Sequence, residues 1–131
     1  MYPMFVSPPG LYRDAPYEYA AVAPAGRLVF TAGACPLDAS GAVVAPGDHA
    51  AQARQALENL RLALESAGSS FERVLKSTVY VVAEERADLV RTWKAVEEGF
   101  HPARPPSTLL GVVVLGYAGQ LVEIEAVALA R

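Results

Sequence analysis

The sequence has only one cysteine and two histidines among its 131 residues. A lone cysteine cannot form an internal disulfide, so Cys35 fits a reducing compartment, and we expect a cytoplasmic protein. Because His49 and His101 lie far apart and have no cysteine partners, we expect no metal site of the zinc type. The sequence also lacks a glycine-rich phosphate loop and a dinucleotide fingerprint, which are the common nucleotide-binding motifs.

Charge is scarce as well. Charged residues make up 19% of the chain and hydrophobic residues 53%, and the net charge is −3. This balance excludes a disordered chain and predicts one folded domain over residues 1–131. The basic residues are scattered, so we expect neither nucleic acid nor a membrane surface as a partner. No apolar run reaches the ~18 residues of a membrane span, and the N-terminal residues lack the basic start and apolar core of a signal peptide.

Two segments have the apolar spacing of amphipathic helices. The first follows Asp48, which suits an N-cap, and ends near Gly68, which suits a C-cap. Its apolar stripe consists of Ala53, Ala56, Leu57, Leu60 and Leu64. The same spacing assigns Gln52 to the polar side of this helix. The second helix is predicted roughly over residues 85–100.

The remaining regular segments have the composition of strands. A short edge strand is predicted in MFVSPPG, and longer strands are predicted over residues 17–23, 27–33, 74–82, 108–115 and 121–129. The tight turn at residues 24–26 predicts that the second and third of these strands form a hairpin.

The element order β-β-β-α-β-α-β-β predicts an α+β fold with both helices on one face of a mixed sheet. The other face of the sheet is then left open. Along the last strand, Glu123 and Glu125 alternate onto the same face as Val127 and Leu129. Apolar residues beside carboxylates on an open face predict oligomerisation around a polar cleft.

Glu123 and Glu125 admit two interpretations. In the first, a carboxylate points into solvent at the end of the strand. In the second, Glu123 lies at a cleft between subunits and acts as a general acid or base, because charged side chains are rarely buried without a function or a partner. The two carboxylates lie roughly 7 Å apart along the strand, which is compatible with a paired acid and base.

Arg104 and Ser107 lie in the segment before that strand. Arg104 is held between prolines, where it either solvates a turn or grips a carboxylate ligand with its guanidinium group. Ser107 fits a strand entry better than a nucleophile, since no His or Asp lies at a recognisable spacing to activate it. Cys35 fits a small buried side chain.

Three segments carry a resemblance to a known family: RLVFTAGACPLD, QARQALENLRLALESAGSSFERVLKSTVYVV and LVEIEAVALAR. They resemble the YjgF/Rid family of reactive-intermediate deaminases, and the match extends from Tyr17 to the C-terminus. The resemblance implies a chorismate-mutase-like α+β fold and a homotrimer with three small-molecule clefts at its subunit interfaces. Active members hydrolyse enamines and imines derived from amino acids to 2-oxo acids and ammonia, and they need no cofactor.

The resemblance also implies roles for single residues. Glu123, which opens the motif EIEA, matches the glutamate that positions the attacking water. Gly33 and Tyr19 match residues that line the cleft. We expect backbone amides near Gly33 and Leu109 to help polarise the substrate.

One family position departs from the pattern. Family members often carry HRPARTTVGV here, and the second arginine grips the substrate carboxylate. Without a gap, Arg104 matches the first arginine and Ser107 matches the second. The carboxylate clamp is therefore predicted to be missing, which implies an altered ligand.

Two functions follow for the clefts. The first is hydrolysis of an imine, an enamine or a related electrophile through Glu123, with a specificity altered by Ser107. The second is binding of a small molecule, an organic acid or an imine, without turnover. Ribonuclease activity, an older association of this family, is opposed by the acidic net charge and the lack of a basic stripe.

Overall fold

The computed structural model describes residues 2–131. Its elements, in chain order, are β1 (Met4–Val6), β2 (Ala20–Val22), β3 (Leu28–Phe30), α1 (His49–Ser66), β4 (Val74–Val82), α2 (Arg86–Phe100), β5 (Ser107–Val112) and β6 (Val122–Leu129), with a short 3₁₀ helix at Phe71–Arg73. This order is the one that the sequence predicts. Across residues 2–131, neither α-helix combines the length and the apolar content needed to cross a membrane.

Four strands form one mixed sheet in the order β3-β6-β4-β5. Strand β6 is antiparallel to both of its neighbours, with Ala128 opposite Val29 of β3 and Ile124 opposite Val79 of β4. Strands β4 and β5 are parallel, and α2 makes the crossover connection that a parallel pair requires. The glutamate-bearing strand β6 therefore lies in the interior of the sheet.

Both helices pack on one face of this sheet and against each other. The core consists of Ala53, Ala56, Leu57, Leu60, Leu64, Val74, Val79, Val81, Ala95, Val96, Phe100, Val122, Ile124, Ala126 and Ala128. The strands alternate accordingly, since Val79 and Ile124 are fully buried whereas Tyr80 and Glu123 on the other face are half-buried. The predicted α+β fold with one open sheet face is confirmed.

Helix α1 begins and ends where its local sequence predicts. Asp48 caps the first turn, because its Oδ1 accepts a hydrogen bond from the backbone N–H of Ala51 at 3.0 Å. Gly68 follows the last turn with a φ of +78°. Its neighbour Ser69 donates its backbone N–H to the carbonyl of Leu64 at 2.8 Å, which is the hydrogen bond of a Schellman motif.

The assignment of Gln52 to the polar side of α1 is wrong. Gln52 is fully buried. Its Nε2 donates to the carbonyls of Ala45 and Gly119 at 3.3 and 3.1 Å, and its Oε1 accepts from the backbone N–H of Leu121 at 2.8 Å. A polar side chain is stable here because two loops supply all of its partners, and helical periodicity does not reveal such loops.

The predicted hairpin of residues 17–23 and 27–33 is also wrong. Strand β2 pairs with β1, placing Ala21 opposite Phe5, whereas β3 pairs with β6. The physical reason is burial: β6 is already packed under α1 and offers β3 a long partner, whereas the small side chains of β2 offer little apolar surface.

Strand β5 ends at Val112 and not at residue 115, as the sequence predicts. It is an edge strand, so no second neighbour holds the chain beyond this point. Val113 and Val114 consequently lie 95% and 74% exposed in the single chain.

Candidate functional site

The carboxylate of Glu123 is held on the open face of the sheet. Glu123 lies in β6 opposite Tyr80 of β4, and it is half-buried. Its Oε1 accepts hydrogen bonds from Cys35 Sγ at 3.2 Å and from Gln120 Nε2 at 3.1 Å. Glu123 is therefore a partnered carboxylate and not a side chain that points freely into solvent.

Gly33 makes room for this carboxylate. A Cβ atom on residue 33 would lie 2.2 Å from Oε2 of Glu123. Gly33 comes this close to Glu123 because the strand pairing changes register. Ala34 pairs with Ile124, which is shifted by one residue from the pairing of β3 with β6. An extra residue of this kind bends a strand and redirects its neighbours, and it is common next to functional sites.

Cys35 contributes a hydrogen-bond donor to the site. Burial, followed by the hydrogen bond to Glu123, raises the pKa of the Cys35 thiol to about 11. The thiol therefore keeps its proton at neutral pH and donates it to Glu123. Since the thiolate is the reactive form of cysteine, Cys35 is not suited to act as a nucleophile.

Helix α1 fixes the loop that carries this cysteine. The amide nitrogen of Asn59 donates to the carbonyls of Cys35 and Leu37 at 2.8 and 2.9 Å. One helical face thus holds this loop through Asn59 and the 117–121 turn through Gln52. The sequence analysis did not identify Asn59 or Gln120 as site residues. The only available signal was the amide side chain of Asn59, which lies close to the apolar stripe of α1.

A second carboxylate lies beside the first. Oε1 of Glu125 accepts a hydrogen bond from the hydroxyl of Tyr80 at 2.6 Å, and this bond is the main reason that the pKa of Tyr80 is raised. Lys76, on the same face, donates to the hydroxyl of Thr108 at 2.5 Å. In the part of the chain that the structure describes, no three His, Cys, Asp or Glu side chains gather into a potential metal site.

A groove of about 450 Å³ follows the edge of the sheet at β5. Its lining consists of Pro16, Tyr17, Trp93, Ser107, Thr108 and Leu109. The rings of Tyr17 and Trp93 meet edge to face with centroids 6.4 Å apart. Ser107 accepts a hydrogen bond from the hydroxyl of Ser77 at 2.7 Å. The groove is therefore aromatic and uncharged, with hydroxyl groups at one side.

Two other predicted ligand-binding residues do not line this groove. The guanidinium group of Arg104 donates to the carbonyl of Ala15, and the carbonyl of Arg104 accepts from the backbone N–H of Glu18 at 3.0 Å. Arg104 thereby fixes the segment that carries Tyr17. The hydroxyl of Tyr19 donates to the carbonyl of Tyr12 at 2.9 Å, so the tyrosine that the structure places beside Ser107 and Leu109 is Tyr17.

The structure divides the predicted site residues between two faces. Gly33 and Glu123 meet on the open face. Ser107 and Leu109 pair with Ser77 and Val79, whose buried side chains point toward the helices. A single copy of the chain does not bring these two groups together.

A comparison with known protein families shows to which family this fold belongs. The sequence profile of the family described as Endoribonuclease L-PSP matches residues 11–130. That range contains both helices, the four-stranded sheet and every predicted site residue. The protein belongs to the YjgF/Rid family.

Individual relatives agree with this assignment. A RutC family protein of Pyrococcus horikoshii is 34% identical over 110 residues, which are 84% of this chain and 85% of its own. A mouse protein named 2-iminobutanoate/2-iminopropanoate deaminase is 32% identical over 103 residues, which are 78% of this chain and 73% of its own. A solved Rid family structure from Yersinia pestis, described as a protein of unknown function, superposes with a TM-score of 0.91 at 30% identity, over 98% of this chain and 99% of its own. The predicted Rid family membership and fold are confirmed.

Proposed function

We propose that this Rid family protein hydrolyses an imine or an enamine through Glu123, in clefts between the subunits of a homotrimer. The observation that carries the proposal is the half-buried carboxylate of Glu123, which Cys35 and Gln120 hold in one position. A fixed carboxylate at an open face is suited to take a proton from a water molecule. The deaminase name of the mouse relative supports the same chemistry.

Two features support a cleft that is shared between subunits. The open face exposes apolar side chains, with Phe30 72% exposed, and an exposed apolar patch favours association. In addition, Glu123 and the Ser107 groove lie on different faces of one sheet. Packing of the β5 edge of one copy onto the open face of the next would join them. A head-to-tail contact of this kind forms a ring when its rotation closes, and the family resemblance implies a ring of three.

The proposed reaction is addition of water to a C=N bond. Glu123 takes a proton from water while the water oxygen bonds to the imine carbon, and Glu123 passes this proton to the imine nitrogen, which gives a carbinolamine. The hydroxyl proton of the carbinolamine then moves through Glu123 to the amine nitrogen as the C–N bond breaks, which releases ammonia and leaves a carbonyl group. An enamine enters the same path after taking a proton at its carbon. No electrons are transferred to a second molecule, so the proposed reaction needs no cofactor.

The groove supports a specificity that differs from that of amino-acid-derived imines. The six residues that line it carry no charge, and within residues 2–131 Lys76 reaches only the hydroxyl of Thr108. Ser107 stands at the position that the resemblance assigns to a carboxylate-binding arginine. Burial of a carboxylate without a charged partner is unfavourable by several kcal/mol, roughly 10²-fold or more in binding. We therefore propose substrates whose remaining substituent is uncharged and flat or apolar.

This proposal can be tested with imines that are generated during the assay. An amine oxidase acting on benzylamine supplies an uncharged imine, and an amino acid oxidase supplies 2-iminobutanoate. We expect the protein to accelerate ammonia release from the uncharged imine more than from 2-iminobutanoate, and Glu123→Gln to abolish the acceleration. Ser107→Arg should shift the preference toward 2-iminobutanoate. Failure of the wild-type protein to accelerate hydrolysis of either imine would contradict the proposed activity.

A second candidate function is binding of a small molecule without turnover. It is favoured by the uncharged aromatic groove, which can retain a ligand without any reacting group. Thermal shift measurements with small acids and amines distinguish it, since a ligand that binds the folded state alone raises the unfolding temperature. Stabilisation that survives in Glu123→Gln, combined with no imine hydrolysis, would favour this function.

A ribonuclease function rests on the description of the family and on the names of two solved structures that resemble this chain. The net charge of −3 and the paired carboxylates on the open face oppose binding to a phosphate backbone. If the protein does not bind RNA at low salt, a ribonuclease function is excluded.

A further inference from the structure

Two hydrogen-bond donors converge on one oxygen of Glu123. Oε1 lies 3.2 Å from Cys35 Sγ and 3.1 Å from Gln120 Nε2. No donor within residues 2–131 reaches the other oxygen, Oε2, which lies against the backbone of Gly33. The two oxygens of this carboxylate are therefore not equivalent: one is held and the other is available.

Gln120 is itself fixed in place. It is 3% exposed, and its Oε1 accepts a hydrogen bond from the backbone N–H of Tyr117 at 3.1 Å. Its Nε2 is shared between Glu123 and the carbonyl of Val122, each at 3.1 Å. A buried side chain with all of its polar atoms engaged has little freedom to rotate, which is what orientation of a reactive group requires.

Cys35 is fixed from the opposite side. Asn59 holds its backbone carbonyl at 2.8 Å, and a second acceptor near its thiol, the carbonyl of Gly33, is more distant at 3.6 Å. Because burial and Glu123 raise the pKa of this thiol to about 11, it remains a donor at physiological pH.

We propose that Cys35 and Gln120 are positioning residues, which hold Oε1 of Glu123 so that Oε2 is the oxygen that takes the proton from the attacking water. This inference rests on the proposed role of Glu123 in hydrolysis. It adds two residues that act through Glu123 and do not contact the substrate. A reactive group that is displaced by about 1 Å can lose roughly 10²-fold in rate, so the residues that hold it in place control turnover.

Steady-state kinetics of four variants test the proposal with the imine substrate of the wild-type protein. Cys35→Ala and Gln120→Leu each remove one donor, and we expect kcat to fall about tenfold or more while KM changes less than about twofold. Cys35→Ser keeps a donor at the same position and should restore kcat to within about threefold of the wild-type value. Ser69→Ala is the matched control, since it removes a buried hydrogen bond to the carbonyl of Leu129 at the far end of β6, and it should leave kcat unchanged.

The contrary results are distinct from failure of the proposed function. Full kcat in Cys35→Ala and Gln120→Leu, with Glu123→Gln inactive, would overturn the positioning role and leave the role of Glu123 intact. A serine variant as slow as the alanine variant would overturn the donor role of Cys35.

If the wild-type protein turns over no imine, the proposed function fails, and the carboxyl ¹³C signal of Glu123, assigned by its loss in Glu123→Gln, tests the positioning of Oε1 by itself. We expect this signal to move in Cys35→Ala and Gln120→Leu but not in Ser69→Ala. An unmoved signal in both variants would overturn the proposal.

Discussion

The carboxylate of Glu123 occupies the space that a side chain on Gly33 would need. The distance from a Cβ at residue 33 to Oε2 would be only 2.2 Å. Gly33 is not among the glycines with a positive φ, so the requirement for glycine is steric and not conformational. The backbone just beyond β3 and the side chain of Glu123 in β6 thus set the position of the available oxygen of the site.

The Gly33→Ala variant should disturb the site and leave the fold intact. The added methyl group collides with the side chain of Glu123 from Cγ to Oε2, so we expect this side chain to rotate away from Cys35 and Gln120 while the backbone stays in place. The free energy of unfolding should change by less than about 1 kcal/mol, whereas imine hydrolysis should fall at least about tenfold. Urea denaturation and steady-state kinetics on the same preparation measure the two effects.

Gly99→Ala is the matched control for this substitution. Its Cβ would lie 2.3 Å from Cδ1 of Leu57 in the core, so it creates a similar collision away from Glu123. We expect a loss of about 1–3 kcal/mol of stability through overpacking with unchanged activity per folded molecule. Unchanged activity in Gly33→Ala would contradict the described contact.

Alkylation of Cys35 reports on its contact with Glu123. At pH 8 we expect iodoacetamide to react with Cys35 about a hundredfold more slowly than with a free cysteine, because its pKa is about 11 against an ordinary 9.0. Glu123→Gln removes the neighbouring charge that helps to raise this pKa, so the rate should increase. Mass spectrometry measures the rate.

Glu125→Gln serves as the control, since it removes the same charge from a carboxylate that binds Tyr80 and not Cys35. Equal rates in the two glutamine variants would contradict a specific effect of Glu123 on the thiol.

The sequence predicts best those features that depend on local chemistry. Asp48 and Gly68 mark the ends of α1 because capping needs only neighbouring residues. The alternation of side chains along β6 predicts that Glu123 lies on the open face, because this alternation is also a local property of the chain. Strand partners depend on distant burial, so the predicted hairpin of residues 17–23 and 27–33 is wrong.

The finer geometry of the site also could not be predicted from the sequence. The resemblance assigns the cleft tyrosine to Tyr19, whereas the edge-to-face contact with Trp93 places Tyr17, two residues earlier, in the groove. The donors Cys35 and Gln120 reach Glu123 through a bulge and a turn, neither of which has a periodic signal.

Gln52→Leu tests the link between α1 and the site. The substitution leaves the N–H of Leu121 and the carbonyl of Gly119 without their side-chain partners. We expect a loss of about 2–4 kcal/mol in the free energy of unfolding, since buried polar groups without hydrogen bonds are destabilising by about 1–3 kcal/mol each. Urea denaturation measures it, and Gln55→Leu on the same helix, which loses only a bond to Asn59, should lose less. Equal losses would contradict the structural role of Gln52.

Asp88 should make stability depend on pH. Its pKa is lowered, mainly because its carboxylate accepts the backbone N–H of Glu84 at 3.0 Å, with Arg91 contributing. A carboxylate whose pKa is lower in the folded state stabilises the fold above its ordinary pKa of 3.8, and this stabilisation is lost as the pH falls through the folded value.

We therefore expect Asp88→Asn to be less stable than the wild-type protein at pH 7, and the difference to shrink below the ordinary aspartate pKa. Denaturation curves between pH 7 and pH 3 measure this difference, with Asp14→Asn at an exposed position as the control. A difference that stays constant over this range would contradict the pKa shift of Asp88.

The molar mass of the protein in solution is the most direct test of a cleft built by neighbouring copies around Glu123. Light scattering on the eluted peak should give three times the chain mass of 13.9 kDa. A stable species of a single chain that still hydrolyses an imine would contradict the shared cleft.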